Sequence, residues 1–489
     1  MTSEERRPIV VTRSGEVVGR RLGSGSVFKG VPFAKPPVGA LRFRPPQPAE
    51  KWLEPLDAGA FGPGPIQPAY PMVEIPSGAS EDCLTLNVWA PTAPGPHPVL
   101  FSIYGGANTI GASSQAAYDG ATFSEQGLVF VSANYRLGAF GFMELGGIDP
   151  SYAGSGLNGL RDIEAALRWV RDNILAFGGD PDQVTLLGIS AGAKNQCALA
   201  AMPSARGLFR RMTVMSGGGD TVFRSAEEAT PVARALLVAA ELGAGDIQGL
   251  VSMPASAVLA AQTKVMQTFP RGFPFRPTVD GTTLPHAPID AARNGATAAL
   301  DIVVGTNRDE AALMLPGAVA NKPFRAGQIA NLDLSRMLAL EQKYETLLPD
   351  LSLADRHIRQ LTAEEYWIPS VRFAEAHARA GGRVWMYRFD WAADAGPFAG
   401  YAPHGADSPF VYGGHGIPAL VHSDDAKPAA MRAHAMWARW ARTGSLGLEG
   451  GPEWPLYDDR RRLTFILDRV VHVDADPRGD ERRLWDGVM

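Results

Sequence analysis

The chain has 489 residues, 45% of them hydrophobic and 20% charged, with a formal net charge of −5. That balance excludes a disordered or fibrous chain and gives no basic field for nucleic-acid phosphates, whereas small neutral ligands suit it. Two cysteines, Cys83 and Cys197, are too few for a disulfide framework or a structural zinc site and read as buried thiols.

The opening MTSEERRPIVVTRSGEVVG places charges where a secretory leader needs an apolar core. No apolar run reaches the roughly 18 residues of a membrane span. The expectation is a soluble, cytoplasmic protein without a membrane partner. Residues 8–30 alternate apolar and polar between glycines, which predicts a small antiparallel meander. The proline-dense stretch 28–46 predicts an extended, rigid surface loop. Residues 61–80, with Tyr70, Met72 and Ile75 among Pro and Gly, read either as a loop rimming a pocket or as a packed surface loop.

From Cys83 onward strands and helices alternate. Apolar runs predict strands at 84–89, 99–104, 128–134, 184–187 and 211–215, and again at 302–304, 384–389 and 463–466. A helix is expected over 163–175, with Leu167, Val170 and Ile174 on one face, and Ala/Leu-rich helices over 225–275. No linker or repeat divides the chain, so residues 1–489 are expected to form a single α/β domain. Its mostly parallel sheet is doubly wound, with ligands at the carboxyl ends of the strands.

Three places carry chemistry. The first is Val184–Leu187 running into Gly188-Ile189-Ser190-Ala191-Gly192, a strand, a sharp turn and an Ala-rich helix. The G-x-S-x-G spacing fits a strained elbow that lifts the Ser190 hydroxyl clear of the sheet and aims the N–H of Ala191 at a developing oxyanion. A glycine-rich turn capped by a serine has the same composition and needs no chemistry.

The second is Ser102-Ile103-Tyr104-Gly105-Gly106-Ala107-Asn108, small residues after a strand that can turn N–H groups toward one point. The third is a pair of partners for the serine, which follow it in the order acid, then histidine, in folds with such an elbow. Ile302–Glu310 offers the adjacent carboxylates Asp309 and Glu310, and composition does not choose between them. Among nine histidines, His404 in PHGADSPF lies on a loop after a strand, with His415 and His422 nearby, so position alone does not select it.

Glu81–Trp89 (EDCLTLNVW) resembles the EDCLxLNVW signature of the type-B carboxylesterase/cholinesterase family, and Gly188–Ala193 is similar to its GESAGG. Stretches 30–43, 134–142, 166–181, 305–311 and 404–413 line up with the family in order, as does the tail at 437–445. The resemblance, to the bacterial carboxylesterase branch, covers essentially the whole chain. It implies an α/β-hydrolase fold with helical insertions forming a gorge. It also implies Ser190 as nucleophile, Glu310 rather than Asp309 as acid, His404 as base, and Gly106, Ala107 and Ala191 as oxyanion donors.

The departures are specific. Ile189 replaces the family's usual glutamate, and Ala107 replaces the third glycine of its GGG. Pro65 stands where a family cysteine would pair with Cys83. No tryptophan between 68 and 80 matches the choline-binding indole, which argues against choline-ester specificity.

The resulting expectation is a serine carboxylesterase acting through an acyl-enzyme on small to medium, largely neutral esters, with no cofactor or metal. It would work as a monomer or weak homo-oligomer. Phe269, Phe273, Phe275, Tyr70 and Met72 are candidates for pocket lining. An amide, carbamate or aryl-ester hydrolase would use the same triad, and a non-catalytic binding module on the same scaffold is the alternative from another class.

Overall fold

The computed structural model describes residues 7–489 apart from 24, 72, 316–319 and 414–425. Two sheets form. β1 (Ile9–Thr12) and β2 (Gly15–Val18) make a hairpin, and β5 (Leu56–Asp57) adds parallel to β2. The main sheet holds eleven strands. These are β3 (Arg20–Leu22), β4 (Gly25–Pro32), β6 (Thr85–Pro91), β7 (His97–Ile103), β8 (Val129–Ala133), β9 (Gly179–Ile189), β10 (Arg211–Met215), β11 (Asp301–Asn307), β12 (Arg383–Phe389), β13 (Leu463–Leu467) and β14 (His472–Ala475).

Their spatial order is β14-β13-β12-β11-β10-β9-β7-β8-β6-β4-β3. The run from β13 to β8 is parallel, with antiparallel strands at both margins. The α/β-hydrolase architecture expected from the sequence is the one observed.

Alternation along the central strands explains the layering. Val99, Phe101 and Ile103, with Ile302, Val304, Val384 and Met386, pack into one core, while Leu100, Leu187, Val303, Trp385 and Tyr387 pack into the other. Successive strand residues point to opposite faces, so a strand buried on both sides is apolar throughout. Each fully buried aliphatic side chain contributes about 2 kcal/mol of transfer free energy.

Helix Asn158–Asn173 turns Leu160, Ile163, Leu167 and Val170 to the first core, at helical spacing. Helix Ala426–Thr443 turns Ala430, Ala433, Trp437 and Trp440 to the second. Arg20 and Arg21 leave β3 exposed and charged, which discourages pairing at that edge.

Three local expectations change. The stretch 28–46, expected as a surface loop, begins inside β4 and buries Phe28, Val31, Phe33 and Phe43, because its apolar residues pack into the first core. The single meander over 8–30 is two hairpins in two sheets, because the chain passes so close to Val27 and Phe28 at Gly19 that it bends out of the first sheet. The helix expected to Leu175 ends as an α-helix at Asn173 and tightens into a 3₁₀ turn, Ile174–Phe177. Gly178, left-handed at φ 78°, closes that turn.

Candidate active site

β9 runs directly into Ser190, whose φ of 57° and ψ of −124° lie outside the region ordinary side chains adopt, and helix Ala191–Ala201 starts at the next residue. The strain is held on both sides: the Ser190 N–H donates to Met215 O (2.8 Å), and its carbonyl accepts from Lys194 N (3.0 Å). A Cβ on Gly188 would strike Gln196, and one on Gly192 would strike the carbonyl of Ile103 at the end of β7. The two glycines therefore let the elbow fit between strand and helix. Ile189 and Ala191 are buried, while Ser190 is partly exposed.

The candidate acid lies two strands further along the chain. β11 ends at Asn307 and leads into Arg308-Asp309-Glu310, of which Glu310 is fully buried. Its Oε1 accepts the Asn307 N–H (2.7 Å), and its Oε2 accepts Nδ1–H of His404 at 2.6 Å. That contact assigns the imidazole tautomer, leaving Nε2 as the basic nitrogen. The His404 N–H also donates to the Glu310 carbonyl (3.1 Å), and the Tyr366 ring lies 4.7 Å from the imidazole.

Asp309 faces elsewhere, accepting from Arg308 Nε (2.8 Å) and the Ala402 N–H (3.1 Å). Geometry therefore pairs His404 with Glu310. His415 and His422 lie outside the described residues. Among the described residues neither the Ser190 hydroxyl nor His404 Nε2 has a hydrogen-bond partner. Nucleophile–base bonds are commonly long in unliganded sites and tighten around substrate.

Around this pair lies a polar layer that the sequence reading did not single out. Asn307 Nδ2 donates to Ser216 Oγ (3.2 Å) and to Asp407 Oδ1 (3.3 Å), and Tyr387 donates its hydroxyl to Asp407 Oδ2 (2.7 Å). Burial pushes the Asp407 carboxyl up to about 6 against these donors, and the charge of Glu310 adds to the rise. The signal was present as polar residues at the carboxyl ends of β10 and β11, inside strands otherwise apolar.

The loop after β7 takes the other side. Gly106 (φ 119°), Ala107 (φ 54°) and Asn108 (φ 57°) are all left-handed, and Ala107 adopts that geometry despite its methyl group. Asn108 is pinned by Asn195 Nδ2 (2.9 Å) at its side chain and by the Gly138 N–H (2.6 Å) at its carbonyl. Among the described residues the N–H groups of Gly106 and Ala107 donate to no protein acceptor. The N–H of Ala191, first in its helix, has no intrahelical partner.

Ala107, Ser190 and Ala191 line one narrow cleft together with Phe273 and Phe275. Of the other expected lining residues, Phe269 packs against the first core, Tyr70 is exposed and Met72 lies outside the described residues.

Charged residues, also missed in the sequence, complete the cleft. Lys194, Arg276 and Glu365 line it, and Lys194 Nζ lies 2.9 Å from Glu365 Oε1. Glu365 and Tyr366 belong to a π-helical turn, Ala363–Trp367, joining helices Leu353–Thr362 and Ile368–Arg379, a deviation frequent at functional sites. A lysine among the small residues of GAKN was the available signal. Cys83 and Cys197 are buried free thiols, and burial pushes both up, Cys197 to about 12. Among the described residues no group of three His, Cys, Asp or Glu side chains could hold a metal ion.

The model of the family described as "Carboxylesterase family" matches residues 6–485. The chain is 35% identical to the para-nitrobenzyl esterase of Bacillus subtilis (strain 168), over 97% of this chain and 98% of that protein. It is 32% identical to the phenmedipham hydrolase of Pseudarthrobacter oxydans, over 96% and 97% of the two. Among solved structures, a PNB esterase superposes with a TM-score of 0.86 at 35% identity, covering 98% of this chain and 99% of the other. A carboxylesterase of Geobacillus stearothermophilus gives 0.86 at 34% identity, covering 98% and 100%.

Proposed function

The chain belongs to the carboxylesterase family and hydrolyses carboxylic esters, and from that premise we propose that Ser190, Glu310 and His404 are its catalytic triad, with the N–H groups of Gly106, Ala107 and Ala191 as the oxyanion hole. His404 Nε2 takes the Ser190 proton as the alkoxide attacks the ester carbonyl. Glu310 stabilises the resulting imidazolium through the bond to Nδ1. The three N–H groups hold the negative oxygen of the tetrahedral intermediate, and His404 then hands the proton to the departing alcohol. Water, activated by the same imidazole, attacks the acyl-enzyme and frees the acid and Ser190.

The observations that carry this reading are the 2.6 Å contact between the buried Glu310 carboxylate and the imidazole, and the strained backbone of Ser190 at the elbow. The substrates we propose are small to medium, largely neutral esters, handled by one catalytic unit spanning the chain. The enzyme would act in the cytoplasm as a monomer or weak homo-oligomer, without nucleic-acid or membrane partners. The net charge of −5 speaks against a nucleic-acid partner, and among the described residues no helix is long and apolar enough to cross a membrane.

The test is turnover of p-nitrophenyl acetate by wild type and Ser190→Ala, followed by labelling with a serine-directed phosphonate and mass mapping. Activity lost in the variant and label on Ser190 support the assignment. Label on another residue overturns it.

A further inference from the structure

The cleft beside Ser190 carries polar groups that ester cleavage does not use. Lys194 sits one helical turn after the nucleophile, with its side chain only 13% exposed. One of its three N–H donors reaches Glu365 Oε1 at 2.9 Å. The ammonium otherwise faces aromatic rings, Phe273 at 5.3 Å and Tyr366 at 5.2 Å from their centroids. The other carboxylate oxygen, Glu365 Oε2, is buried with no partner at good hydrogen-bond geometry, the neighbouring Tyr366 hydroxyl pointing to Met314 Sδ (3.6 Å), and Glu365 lines the cleft. A buried acceptor left unpaired is costly, and it stands next to donors still free on Lys194.

Arg276 adds only charge. Its guanidinium is spent on backbone carbonyls, Nε to Phe273 (2.7 Å), Nη1 to Ala330 (2.9 Å) and Nη2 to Gly272. Besides Ser190, the N–H groups next to it, Asn108 and Thr221, the cleft thus offers an acceptor on Glu365 and donors on Lys194, side by side.

We propose that this pair is a specificity subsite for an ester whose acyl chain carries a neutral –NH–C(=O)– group, an amide or carbamate, with its N–H donating to Glu365 Oε2 and its carbonyl accepting from Lys194 Nζ. The acyl side is assigned because the leaving alcohol must take its proton from His404, which does not line this cleft, whereas Ser190 and two of the oxyanion donors, Ala107 and Ala191, do. A plain alkyl chain leaves both groups unpaired. A terminal carboxylate meets the like charge of Glu365, and a terminal ammonium meets Lys194 and Arg276. Only a neutral group with adjacent donor and acceptor satisfies both members. This preference rests on Ser190 being the nucleophile.

The experiment compares kcat/KM for p-nitrophenyl esters of equal acyl length. These are the ester of N-acetyl-β-alanine, its hydrocarbon isostere with methylene for N–H and methyl for the carbonyl oxygen, and the hemiglutarate. Wild type is expected to favour the amide ester over its isostere by about tenfold or more, because a site built to hydrogen-bond discriminates against the analogue that cannot. Lys194→Met and Glu365→Gln should each bring that ratio toward one. The ratio is internal to each protein, so a partly destabilised variant still reports it.

A wild-type ratio near one, a preference for the hemiglutarate, or a ratio unchanged in both variants overturns the subsite. Turnover of p-nitrophenyl acetate that Ser190→Ala abolishes, together with a ratio near one, sinks the subsite and leaves the triad standing. If Ser190→Ala retains that turnover, both fall.

Discussion

Glu310 holds His404 twice, by its carboxylate to Nδ1 at 2.6 Å and by its backbone carbonyl to the His404 N–H at 3.1 Å. The side-chain bond sets the tautomer and the main-chain bond sets where the loop begins, so ring position and tautomer are fixed by one residue. The adjacent carboxylate, Asp309, is committed to Arg308 and to the Ala402 N–H.

Glu310→Gln keeps the shape of the acid but removes the charge that stabilises the imidazolium. Its kcat is expected to fall roughly ten-thousand-fold, the loss seen when a triad carboxylate becomes an amide. Asp309→Asn should lose less than tenfold in kcat while lowering the melting temperature. Steady-state kinetics on p-nitrophenyl acetate with thermal melts of both variants checks this, and the reverse order of losses would move the acid to Asp309.

Gly106→Ala places a Cβ against the Ile110 carbonyl group, 2.8 Å from its carbon, at a φ of 119°. The loop must shift, and its free N–H groups move with it. The expected cost is about a hundredfold or more in kcat with little change in KM, because the donors act on the transition state.

The buried Asp407 carboxyl, raised from 3.8 to about 6, makes stability depend on pH. The folded state keeps this proton to a higher pH than the unfolded chain does. The stabilisation is thus complete below about pH 4 and is lost as pH rises through about 6, roughly 3 kcal/mol in all. Asp407→Asn lacks this titration. Urea unfolding at pH 4 and pH 7 should show the stability of Asp407→Asn relative to wild type rising by up to that amount, and a constant difference would refute the shift.

Arg136 and Asp162 form a buried bidentate ion pair, Nε–Oδ2 2.8 Å and Nη2–Oδ1 2.7 Å. The pair anchors the turn whose Gly138 N–H holds Asn108 of the candidate oxyanion loop. Asp162→Ala leaves the guanidinium buried and uncompensated, and about 3–5 kcal/mol of stability should be lost. Urea denaturation measures it directly.

The strands around the serine could be read from the sequence because each is an unbroken apolar run between turn residues, as at Arg211–Met215, where expected and observed limits coincide. The elbow was legible because steric need writes glycine at 188 and 192. Asp309 and Glu310 were not separable from composition, since adjacent carboxylates at a turn differ only in where the backbone points them. Glu365 was invisible for another reason. Its contact with Lys194 spans 171 positions and depends on a π-helical turn that inserts an extra residue, and no local period announces either. Asp407 and Asn307 were on the page as letters, but their roles come from meeting across two loops.

The parallel centre of the sheet has a consequence for how the enzyme comes into being. The proposed serine, acid and base, Ser190, Glu310 and His404, follow strands β9, β11 and β12, and Arg308 is tied to β12 through its N–H and the carbonyl of Phe389. A nascent polypeptide emerging from the ribosome carries Ser190 long before His404, and the registers of the strands that precede the proposed triad residues form only once the last parallel strands have docked. Esterase activity should therefore appear late and all at once during synthesis, with no active shorter product along the way.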